Sequence, residues 1–124
     1  MAGYTQAYQQ TTLDANHPTS GNGDHLAYSS NGSSENTTII TARTPIGATG
    51  WAAATAATPS VKANNAVVTT PAAAAAGTIT HTAIFSALSG GTQKTDWTAM
   101  AASKTLAISD VIQFPIGAIA ITLD

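Results

Sequence analysis

The sequence predicts an all-β protein, an antiparallel β-sandwich or barrel with an extended N-terminal arm. Three observations lead there. Gly77 to Ala87 alternates strictly, with Ile79, His81, Ala83 and Phe85 on one face and Thr78, Thr80, Thr82 and Ile84 on the other, the period of a strand. Through the C-terminal half, β-branched runs are divided by Gly, Ser, Asp and Pro at spacings of roughly 8–12 residues, as in sandwiches and barrels. The alanine runs Ala52–Ala57 and Ala72–Ala76 are too short for independent helices and offer no bulky face to bury; Pro59, Pro71 and Gly77 close them.

In chain order, residues 1–24 form the arm and residues 25–124 a single sandwich domain. The first segment is polar, with Tyr4, Tyr8 and Leu13 as its sizeable apolar anchors. It lacks an amphipathic period, and His17-Pro18 and Gly21-Asn22-Gly23 interrupt any helix. It reads as a disordered tail or as an arm laid along a neighbouring subunit; tyrosines four residues apart favour the arm. His25–Ser30, Asn31-Gly32 and Thr37–Ala42 predict a hairpin on a type I′ turn, with Ile39 and Ile40 on opposite faces. Strands are expected over Asn64–Thr70, Gly77–Ala87, Gln93–Thr98, Ser103–Ile108 and Val111–Phe114, with turns at Ser89-Gly-Gly and Ser109-Asp110. Ile119, Ile121 and Leu123 share a face of the last strand, placing Asp124 at a sheet end.

Composition restricts the partners. Charged residues are only 8% of the 124, against roughly 25% in an ordinary soluble domain. A surface of Thr, Ser, Asn, Gln and Ala is suited to being covered by copies or partners. Net charge is −2, and four Lys and Arg cannot form a basic patch, so nucleic acid is not expected as a partner. No run approaches the ~20 apolar residues of a membrane span, so no membrane association is expected either. No apolar N-terminal leader is present, so synthesis in a cytoplasm is expected. There is no cysteine to build a disulfide scaffold or a thiolate zinc site.

No catalytic constellation emerges, and neither enzyme activity nor a cofactor is expected. The six acidic residues are scattered over turns and termini. No nucleophile elbow or phosphate-binding loop is present. His17, Asp14, Asp24 and His25 are separated by Gly-rich chain without preorganised geometry, so no metal is expected. His81 reads as a core or subunit-interface histidine. Trp51 and Trp97 read as core or interface, with stacking on sugars as the alternative. The candidate interface residues are therefore Tyr4, Tyr8, Leu13, Trp51, His81 and Trp97.

From about Gly50 onward the chain resembles small virion structural proteins of tailed bacteriophages. The resemblance is carried by Gly50-Trp51, Asn64-Asn65, Gly77-Thr-Ile-Thr-His81 through Phe85, Ser89-Gly-Gly, Trp97, Lys104-Thr105, Asp110 through Phe114 and Gly117 to Asp124. Ser109-Asp110 departs from the commoner Gly-Asp, and the N-terminal third has no counterpart. The resemblance implies a jelly-roll-like sandwich, often trimeric, without enzymatic activity. The expected function is that of a capsid decoration (minor capsid) protein on the head exterior, with the major capsid protein and copies of itself as partners. The alternative is a tail component: a fibre or tail-tip module that binds host glycans, or a neck or tube subunit.

Overall fold

A computed structural model describes residues 3–17, 23–46 and 50–123. Its elements are α1 (Gln6–Asn16), β1 (His25–Ser29), β2 (Thr44–Pro45), β3 (Ser60–Ala63), β4 (Val68–Thr69), β5 (Gly77–Phe85), β6 (Thr98–Leu106), β7 (Gln113–Phe114) and β8 (Ala120–Leu123). The protein is mostly β, and the β1, β3 and β5 pairings are all antiparallel, as the sequence predicts. The chain divides into two compact units: residues 1–22, 46–68 and 114–124 form one, residues 23–45 and 69–113 the other.

The first unit corrects the expectation of an extended arm. Residues 6–16 are an α-helix whose N-cap, Thr5, accepts the Tyr8 N–H at 3.3 Å. Its buried stripe is only two residues wide, Gln9 and Leu13, so no amphipathic period is visible in the sequence. Polar tethers do the docking instead. Gln9 accepts the Ser60 N–H at 2.8 Å, Gln10 donates to the Ala54 carbonyl at 3.3 Å, and Asp14 accepts the Ala54 N–H at 3.0 Å. Of the expected helix interruptions, Pro18 and Gly21-Asn22 lie outside the described residues.

Strand β3 pairs with β8 in the register Ser60 to Leu123 and Ala63 to Ala120. The first alanine run, as expected, is not helical: Ala52 and Thr55 donate backbone bonds to Ala63 and Val61, so this connector lies along β3. Asn64, expected to open a strand, instead ends one. Its amide donates to the Ala66 and Pro115 carbonyls and its oxygen accepts the Ile119 N–H, tying three segments together. Asp124 lies outside the described residues.

The second unit holds a four-stranded sheet ordered β2-β1-β5-β6. Strand β5 covers Gly77–Phe85, nine of the eleven residues expected over Gly77–Ala87, and it pairs β1 with Ala27 opposite Ala83 and Leu26 opposite Ile84. On its other side, Ile79 faces Lys104 but His81 faces Ala99, so Thr80 alone stands opposite Met100–Ser103 in a bulge. Leu26, Tyr28, Ile40, Ile79 and Ile84 are almost wholly buried and form the core.

The expected hairpin at Asn31-Gly32 does not form, and Thr37–Ala42 is not a strand. Local side chains take the backbone donors that a ladder would use. The Ser29 hydroxyl accepts the Asn31 and Gly32 N–H groups, Asn31 accepts those of Ser33 and Ser34, and Asn36 accepts those of Thr38 and Ile39. Ile39 and Ile40 are both buried. Of Gln93–Thr98, only a bridge from Gln93 to Phe85 and the first residue of β6 are strand-like. The Ser109-Asp110 turn is present, with Ser109 at φ 76°.

Candidate functional site

Where β6 ends, the second unit carries an open cleft of about 540 Å3 lined by residues 104–106 and 109–113. Its rim is stapled in place by the turn. Asp110 accepts the Ala107 N–H at 2.8 Å, which is how an Asp stabilises a tight reversal. Two backbone bonds tie the turn to the neighbouring strap at Ala73: the Ser109 N–H donates to the Ala73 carbonyl and the Ala73 N–H to the Asp110 carbonyl, both at 2.8 Å. Ile112 donates to the Thr70 hydroxyl at 2.9 Å, and the Thr70 N–H returns to Ile112. Leu106 and Ile112 are buried beneath, while Lys104, Thr105, Ser109, Asp110, Val111 and Gln113 are exposed. The cleft thus offers a cation, a carboxylate, hydroxyls, an amide and an apolar edge on a braced backbone.

The candidate interface residues are divided between the two units. Tyr4 and Tyr8 are about half exposed on the first unit, their rings 4.9 Å apart and tilted at 58°. Leu13 and Trp51 are covered by their own chain; Trp51 takes the His17 ring on its edge at 5.5 Å. In the second unit, His81 is half-buried, with Nδ1 2.7 Å from the Thr80 hydroxyl. Trp97 is half-buried against Phe85, with centroids 5.8 Å apart. Among the described residues, no group of three His, Asp or Glu could hold a metal ion. Asp14 and Asp24 are instead engaged with lysines.

Sequence reasoning missed the role of the few charged side chains. Arg43 is buried: it grips Glu35 through two nitrogens at 2.8 and 2.9 Å, donates to the Ala87 and Gly90 carbonyls, and stacks 3.9 Å over Phe85. Lys62 is wholly buried and bonded to Asp14 at 2.6 Å. Lys94 meets buried Asp24 at 2.5 Å. The available signal was scarcity: in a chain with so few ions, each has a high chance of serving a particular contact.

Over residues 6–122 the chain matches a family of bacteriophage fibre proteins, so it is a phage virion structural protein. It belongs to the family described as Podophage GP4 fiber I protein gp80. No curated protein matches it.

Proposed function

We propose that this chain is a structural component of the tail of a podophage particle, built into its fibre apparatus. The observation that carries the reading is the family match across nearly the whole chain. It supports the tail-component alternative over the capsid decoration expected from the resemblance. The physical features agree with a non-enzymatic role in which a braced body presents a surface. Three of its four cations are spent on internal ties that hold helix, loop and sheet in place. Copies of the same chain are its expected neighbours, because a charge-poor surface is best kept dispersed by being covered. The test is gold-labelled antibody against this chain on purified particles, with copy number from quantitative mass spectrometry. Label on the tail and few copies per particle are expected; label spread over the head with hundreds of copies would overturn the reading.

A further inference from the structure

We infer that the cleft at the end of β6 binds an acidic sugar, a pyranose bearing a carboxylate. The inference deepens the fibre reading by naming the chemistry of a surface the fibre would touch, and it rests on that reading for its biological setting. The first argument is ionic. Arg43, Lys62 and Lys94 are each paired with a carboxylate, at 2.8, 2.6 and 2.5 Å. Lys104, the remaining cation, is exposed at the cleft and has no acidic partner among the described residues. An unpaired ammonium beside a cleft is complementary to an anion.

The second argument concerns the other lining groups, which exclude a bare anion as the best ligand. Asp110 commits one oxygen to the Ala107 N–H and leaves the other open to accept from a hydroxyl. The Ser109 hydroxyl and the Gln113 amide have no partner among the described residues and supply both donor and acceptor character. Val111, 47% exposed, gives an apolar edge for the C–H face of a ring. A carboxylate for Lys104, hydroxyls for Asp110, Ser109 and Gln113, and a C–H face for Val111 together describe an acidic pyranose. A neutral sugar leaves Lys104 unused, and free phosphate offers no ring hydroxyls to Asp110, Ser109 and Gln113 and no C–H face to Val111.

The third argument is geometric. The volume, about 540 Å3, is within the ~300–1,000 Å3 of small-ligand sites. The rim is already fixed by the Thr70–Ile112 and Ala73–Ser109–Asp110 bonds, so little ordering is required on binding.

The experiment is a nitrogen-15 NMR titration of the whole chain in solution. The probes are galacturonic, glucuronic and N-acetylneuraminic acid, with galactose, glucose and inorganic phosphate as controls. At least one acid should move the amide signals of residues 104–113 at millimolar concentration. The Lys104→Gln variant should bind that acid about tenfold more weakly, the worth of one charge-assisted hydrogen bond, while Lys104→Arg retains binding. Lys104 makes no ion pair among the described residues, so both variants should fold. The inference is overturned if none of the three acids moves those signals, if Lys104→Gln binds as well as the native chain, or if phosphate or the neutral sugars bind as tightly. The titration does not depend on where the chain sits in the particle. Failure here with label on the tail removes the sugar site and leaves the fibre reading standing.

Discussion

The sharpest test of the first unit is to separate the two halves of its buried ion pair. Lys62 is 0% exposed, while the Asp14 side chain is 46% exposed. Replacing Asp14 by Ala removes a charge-assisted bond of 2.6 Å to the Lys62 ammonium and a 3.0 Å acceptor for the Ala54 N–H. It leaves a positive charge in the interior without a counter-charge. Breaking a buried pair in this way costs about 3–5 kcal/mol; with Asp14 half in water the lower end applies, about 3 kcal/mol. Replacing Lys62 by Met removes both the charge and its desolvation penalty, and the change should lie within about 1 kcal/mol of neutral. The assay is chemical denaturation followed by fluorescence in a Trp97→Phe background, so that buried Trp51 reports on its own unit. Far-ultraviolet circular dichroism follows α1 in parallel. Equal destabilisation by the two variants, or none by Asp14→Ala, would refute the reasoning.

The same pair has a pH signature. Partial burial raises the Asp14 pKa, but the Lys62 hydrogen bond, the Ala54 N–H and the Lys62 charge outweigh it and hold it below 3.8. A depressed carboxyl contributes stability that is present above its unfolded value and lost as pH falls through the folded one. The gap between the native chain and Asp14→Ala should therefore be constant near neutrality and close as pH drops below 3.8.

Three further outcomes follow from the second unit. Arg43→Lys cannot reproduce the two-nitrogen grip on Glu35 and the bonds to Ala87 and Gly90, so it should cost about 2 kcal/mol and speed hydrogen exchange at residues 87–91; unchanged exchange would contradict the brace. At Gly32, φ is +76° and an added Cβ would stand 2.8 Å from the His81 ring, so Gly32→Ala should lower stability by about 1–3 kcal/mol in thermal melts. Burial pushes the Tyr28 phenol well above 10.0, against the smaller opposing effect of its hydrogen bond to Thr44. Its contribution is full below pH 10.0 and is lost as the pH rises beyond that, so absorbance at alkaline pH should show one tyrosine ionising only on unfolding.

What the residues determine alone is the strand-rich character and its punctuation. In β5 the alternation fixes both faces, because a period of two is local and survives any packing. The alanine runs stay out of helices because neither reaches a self-supporting length nor offers a face to bury. At Ser109-Asp110 the turn follows from an Asp side chain that bonds backbone two or three residues away. Tertiary structure alone decided the rest. Helix α1 exists because Gln9, Gln10 and Asp14 find partners forty or more positions away, and polar docking leaves no hydrophobic period to read. Asn31-Gly32 makes a loop instead of a hairpin because Ser29 and Asn31 satisfy the local donors first, and β5 replaces the expected partner of β1. The cleft at Lys104 depends on which cations are paired elsewhere, and distance along the chain carries no trace of that, since charges meet by position in space.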